Sequence, residues 1–124
     1  MNDESKEIDD IGLIRTVFYT DEFKEFYDNL DEKVKKKIDY VIELIKDFKI
    51  VHVDFVKRLV NTELYEMRVG VGTNEYRSIL FSIDHENIIE STQVVILSGF
   101  LKKSTKDYGK QIKKAEKILN NLES

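Results

Sequence analysis

The sequence predicts an α+β fold in which a mainly antiparallel, twisted sheet is covered by helices. Three observations carry that expectation. Two early segments place apolar residues at helical spacing; a central region reads as strands separated by turn-forming clusters; a final amphipathic segment returns to helical spacing. The expected element order is β-α-α-β-β-β-α, one sheet with helices packed on it.

Residues 14–19 (Ile-Arg-Thr-Val-Phe-Tyr) are rich in β-branched and aromatic side chains and read as the first strand. Thr20 and Asp21 offer N-cap oxygens to a short helix that gathers Phe23, Phe26, Tyr27 and Leu30 on one side. Asp31 is placed to cap a longer helix with Val34, Ile38, Val41, Ile42, Ile45 and Phe48 at helical spacing. No proline interrupts either helix. Residues 49–62 show no clean period and read as a loop or a short element. From Leu64 to Val69 the chain alternates as a strand, Val71-Gly72-Thr73-Asn74 is turn chemistry, and Tyr76 to Ile83 resumes a strand. Asp84-His85-Glu86-Asn87 marks a second turn before a last strand over 88–97. In the final helix Tyr108, Ile112, Ala115, Leu119 and Leu122 form an apolar face opposite Lys103, Lys106, Lys110, Lys113 and Lys117.

Composition narrows the chemistry. The 124 residues, 41% hydrophobic and 10% aromatic, suffice for one domain with a real core, expected over residues 13–124. No run reaches the roughly 18 to 20 apolar residues of a membrane span. The acidic N-terminus lacks a secretory pattern, so a cytoplasmic protein without membrane contact is expected. The absence of cysteine excludes a disulfide framework, a thiolate nucleophile and a cysteine zinc site, and two histidines make poor material for a metal centre. The five glycines match neither common phosphate-binding fingerprint. The net charge of −4 is uneven. Residues 1–12 read as a flexible acidic arm, whereas residues 99–119 hold seven lysines against Asp107 and Glu116. Such a lysine face is either an ordinary solvated surface or a contact for a polyanion.

The most informative pair is Arg68 and Arg77. A loop from Val71 to Asn74 would set them directly opposite on one face of a hairpin. Opposed like charges destabilise a sheet unless something neutralises them. An anion such as phosphate would do so, and the planar guanidinium fork suits it. Glu66 or Glu75 would serve equally well. His52 and His85 carry no partner pattern; of the two, His52 is the better functional candidate.

Several short stretches, taken together, resemble the phage-derived, HigB-like branch of the RelE/ParE toxins. They are Phe55-Val56-Lys57-Arg58-Leu59, Leu64-Tyr65-Glu66-Met67-Arg68, Tyr76-Arg77, and Leu97-Ser98-Gly99-Phe100-Leu101-Lys102-Lys103, in the family's order and across residues 15–119. The resemblance implies a type II toxin–antitoxin toxin, a ribosome-dependent mRNA endoribonuclease without metal or cofactor. It also implies a cognate antitoxin, often of helix-turn-helix type, and mRNA on the ribosome as partners. Carried onto this chain, Arg68 and Arg77 would hold the scissile phosphate. Lys57, Arg58, Lys102 and Lys103 would meet the RNA backbone, and Lys106, Lys110 and Lys113 would extend that contact. Proton transfer falls to Glu66, His52 or Tyr108.

The sequence departs from the family pattern at three places. Ser98 stands where the family has a histidine before Gly-Phe, Asp107-Tyr108-Gly109 replaces a Thr-Pro helix opening, and Phe100 occupies a position where many members carry histidine or tyrosine. A ParE-like toxin acting on DNA gyrase and a catalytically degenerate toxin fold that only binds an antitoxin are the alternative expectations.

Overall fold

The computed structural model describes residues 14–123. The expected acidic arm at 1–12 lies outside them. Strand β1 (Thr16–Tyr19) is followed by helices α1 (Asp21–Asp28) and α2 (Glu32–Asp47), strands β2 (Val56–Arg58), β3 (Leu64–Val71), β4 (Asn74–Ser82) and β5 (Gln93–Leu101), and helix α3 (Thr105–Glu123). One five-stranded sheet has the order β1-β5-β4-β3-β2. All neighbours are antiparallel except β1, which runs parallel to β5.

The α+β architecture is the expected one, with a short strand added. β2 occupies three residues of the aperiodic 49–62 segment and buries only Val56, too little to leave an alternating pattern. The last strand lies later than its expected 88–97 span, because residues 84–92 form a folded loop. Asp84 organises that loop: its carboxylate accepts from the hydroxyls of Ser91 and Thr92, both at 2.5 Å, and from the backbone N–H groups of Thr92 and Gln93. These bonds hold the Asp84 carboxyl well below the usual carboxylate range, the Ser91 hydroxyl contributing most. A depressed carboxylate pKa stabilises the fold above the unfolded value near about 4 and ceases to do so as pH falls through the native value. Asp84→Asn is therefore expected to speed amide exchange at Thr92 and Gln93 at neutral pH and to flatten the acid dependence of stability. Unchanged exchange would assign the loop's order to other contacts.

The sheet buries both faces. Tyr65, Met67, Val69, Leu80, Val94 and Ile96 pack with Phe23 of α1 and with Val34, Ile38, Val41 and Ile45 of α2. Leu64, Ile79, Val95, Leu97 and Phe100 pack on the other side with Ala115, Ile118 and Leu119 of α3. The alternation along β3 follows the two-residue pleat period. A register irregularity at Ile79/Leu80 pairs Ile79 with Ser98 but Leu80 with Ile96, leaving Leu97 as the extra residue on β5. Leu122, expected on the apolar face of the last helix, is 57% exposed, and Ile118 is buried in that face instead.

Local chemistry fixes the element ends. Thr20 caps α1: its hydroxyl accepts from the Phe23 N–H at 3.1 Å and donates to the Leu97 carbonyl at 2.7 Å. Asp31 occupies the N-cap position of α2 without a side-chain cap bond. Gly72, with φ of +62°, opens the two-residue turn between β3 and β4, as a type II′ hairpin requires.

Gly99 is required for a different reason. A Cβ there would lie 2.3 Å from the Phe26 ring. Gly99→Ala is expected to cost about 1 to 3 kcal/mol through overpacking, read as a lower urea midpoint. Phe26→Leu in the same chain should recover part of the loss. An unshifted midpoint would mean that the ring moves aside freely.

Candidate functional site

The site is assembled by the pleat of β3 and β4. Glu66 and Arg68 project from the same face of β3, and the Val71–Asn74 pairing sets Arg68 directly opposite Arg77. Lys57 of β2 stands opposite Glu66, and Phe100 of β5 stands opposite Arg77. This is the face that α3 covers, and the cluster lies beside the apolar contacts of that helix.

Both carboxylates considered from the sequence take part in neutralising the arginine pair. Arg77, 3% exposed, donates from Nη1 to Glu75 Oε1 at 3.1 Å and to its neighbour's carbonyl, that of Tyr76, at 3.2 Å. Glu66, 4% exposed, has Oε1 at 3.4 Å from Arg68 Nε and Oε2 at 3.9 Å from Arg77 Nε. The second separation is too long for a hydrogen bond. Glu66 Oε2 and Arg77 Nε thus remain without a hydrogen-bond partner, as do the buried Ser98 Oγ and Gln111 Oε1. Buried polar atoms left this way are uncommon and point to strain or function. Chemically, the cluster offers two guanidinium groups for an anion and one carboxylate oxygen with uncommitted lone pairs.

The remaining candidates divide by face. Tyr108, in the first turns of α3, meets Phe100 edge-on with ring centroids 5.6 Å apart, and Lys102 Nζ lies 5.8 Å from the Tyr108 ring centroid. Tyr108 is therefore one ring removed from Arg77. Lys57, Lys102, Lys103, Lys106, Lys110 and Lys113 are all exposed. Arg58 lies on the opposite face of the sheet, its guanidinium 5.6 Å from the Tyr65 ring centroid and donating to the Thr62 carbonyl. His52 is not brought into the cluster. It sits in the turn before β2, where Nδ1 accepts from the Asp54 N–H at 3.0 Å and lies 3.4 Å from the Asp54 carboxylate.

One charged residue escaped the sequence reading altogether. Arg15, 2% exposed, donates to the carbonyls of Ile45, Phe48, Lys49, Ile88 and Ile89. It joins the end of α2 to the loop before β5, and nothing in the local sequence marks a five-acceptor role. Among the described residues, no group of His, Cys, Asp or Glu side chains is arranged to hold a metal ion, and no helix is long and apolar enough to cross a membrane.

A sheet of this order, with two helices on one face and a third on the other, is the fold of RelE-type toxins. E. coli toxin RelE, in the free state and carrying two arginine-to-alanine substitutions, is similar with a TM-score of 0.58 and 13% identity, over 82% of this chain and 97% of that one. A chain of the intact E. coli RelBE toxin–antitoxin complex is similar with a TM-score of 0.51 and 12% identity, over 73% of this chain and 99% of the matched chain. Residues 25–120 match the family of phage-derived Gp49-like proteins, DUF891. The chain belongs to that family. No curated protein matches the sequence.

Proposed function

We propose that this chain is the toxin of a type II toxin–antitoxin pair, a HigB-like, ribosome-dependent mRNA endoribonuclease that inhibits translation without metal or cofactor. The observation that carries the reading is the buried Glu66 carboxylate between the Nε atoms of Arg68 and Arg77, with Oε2 unpaired. Cleavage of RNA by its own ribose needs little more. The 2′-oxygen attacks the adjacent phosphorus, the bond to the 5′-oxygen breaks, and a cyclic phosphate remains. Glu66 accepts the 2′-hydroxyl proton. Arg68 and Arg77 stabilise the charge that develops on the phosphate oxygens. Tyr108, one ring away, is the candidate donor to the departing 5′-oxygen, and His52 has no part in this scheme. The exposed lysines from 102 to 113 and Lys57 hold the RNA backbone, a contact that weakens with salt. A cognate antitoxin, of helix-turn-helix type in this reading, restrains the toxin in the cytoplasm. The similarity to a RelBE chain supports such a partner.

A second reading rests on one specific observation. Arg77 is 3% exposed and already faces two carboxylates, the arrangement of a structural ion-pair cluster in a toxin fold that only binds its antitoxin. Induced expression in bacteria separates the two. Growth arrest with codon-phased mRNA ends, lost in Arg77→Ala, supports the nuclease. Harmless expression of folded protein supports the partner-binding fold, and arrest with DNA damage signalling and intact mRNA would point to a gyrase-directed toxin.

A further inference from the structure

A cavity of about 290 Å³ opens beside the start of β2, between α2 and the edge of β3, where the Arg68 N–H donates to the Phe55 carbonyl. Its walls include Lys37, Tyr40, Asp54, Phe55, Arg68 and Gly70. Three features set it apart from an ordinary surface dip. Tyr40 is 58% exposed although it is a large aromatic, and it meets Phe55 at 76° with centroids 6.4 Å apart. A flat ring stacked on one of them therefore meets the other edge-on, the geometry aromatic groups prefer. Lys37 is anchored there by a 3.1 Å bond to the Gly70 carbonyl, which leaves two ammonium donors for a ligand. Arg68 borders this cavity where β3 forms its rim, while its side chain, on the face that α3 covers, places Nε 3.4 Å from Glu66.

We propose that this cavity is a single-nucleotide subsite: the base of an RNA residue stacks on the Tyr40–Phe55 pair with Lys37 beside it, and the RNA crosses the β3 edge to set the adjoining phosphate at Arg68. Stacking on aromatic rings next to cations is the general means of holding single-stranded nucleic acid. Two cations against Asp54 leave the cavity net positive, which suits a phosphorylated ligand. The proposal rests on Arg68 meeting RNA phosphate and adds where the adjoining base goes. Since the carboxylate of Asp54 and the ammonium of Lys37 border the cavity, base edges there meet both an acceptor and a donor, and the subsite would bias which nucleotide sits beside the cut.

The test is an amide and aromatic NMR titration of the full chain with the four nucleoside 5′-monophosphates and with a short single-stranded RNA. Shifts at residues 37–41, 54–55 and 68–70 are expected. Tyr40→Ala should weaken nucleotide binding about tenfold without lowering the melting temperature, and Tyr40→Phe should restore it. If Arg68→Ala weakens RNA binding and Tyr40→Ala does not, the subsite is overturned while the RNA reading stands. If neither RNA nor any nucleotide binds, both fall. If only the protein encoded beside this chain shifts these residues, the cavity is a protein contact and the subsite is overturned.

Discussion

Glu66→Gln is expected to lower RNA cleavage by about 10² to 10⁴, the usual contribution of a positioned proton acceptor. Glutamine keeps the shape of the side chain, so the fold should persist. What it loses is the basic lone pair of Oε2, the atom without a hydrogen-bond partner. Arg77 retains its 3.1 Å contact with Glu75, so the guanidinium is not left without a carboxylate. Glu66→Ala is a poorer probe, because it also truncates a buried side chain and leaves a cavity beside the apolar contacts of α3. Cleavage measured on translated mRNA, beside a melting curve for each variant, separates lost chemistry from lost structure. Full activity in Glu66→Gln would remove Glu66 from the mechanism.

The largest expected effect on stability lies elsewhere. Arg15→Met should destabilise the chain by about 3 to 5 kcal/mol, because five buried or half-buried carbonyls lose their donor together. Three of these, from Ile45, Phe48 and Lys49, belong to the last turn of α2 and its exit. There a cation also complements the helix dipole. The other two, from Ile88 and Ile89, hold the loop before β5. Burial pulls the Arg15 pKa down from the usual arginine value, a desolvation cost that the five acceptors offset. Arg15→Lys keeps the charge but not the planar fork, and should recover only part of the loss. A urea midpoint shift equivalent to less than about 1 kcal/mol in Arg15→Met would mean that water re-pairs the carbonyls readily.

Arg15 also shows where sequence reasoning stops. It stands at the opening of a β-branched and aromatic run, and its acceptors lie 30 and more positions away. No local pattern encodes them. The Arg68–Arg77 pairing was legible for the opposite reason: a hairpin's register follows from where its turn falls, so Val71 and Asn74 fixed every pair behind them. Legibility ended at the next step. Whether an anion or a carboxylate neutralises the arginines depends on side-chain placement, and the structure shows Glu66 and Glu75 both in reach. Arg58 illustrates the pleat: one residue beyond Lys57, it stands on the other face of the sheet. The Tyr40 cavity was invisible because Lys37 and Tyr40 belong to the polar side of α2, and only packing against the β3 edge joins them to Arg68. Similarly, Asp84 to Asn87 reads correctly as a turn, but residues 88–92 read as the start of a strand, since the isoleucines at 88 and 89 look like strand residues and Asp84 binds backbone eight and nine positions ahead.

In the proposed function the Glu66–Arg68–Arg77 cluster cuts translated mRNA. Its most direct test is transcriptome-wide mapping of mRNA ends after brief induction of the parent chain, Glu66→Gln and Arg77→Ala, each confirmed as folded. New codon-phased ends with growth arrest are expected in the parent, and neither in the two variants. Folded parent protein that produces no new ends, or variants that cut as well as the parent, would contradict it.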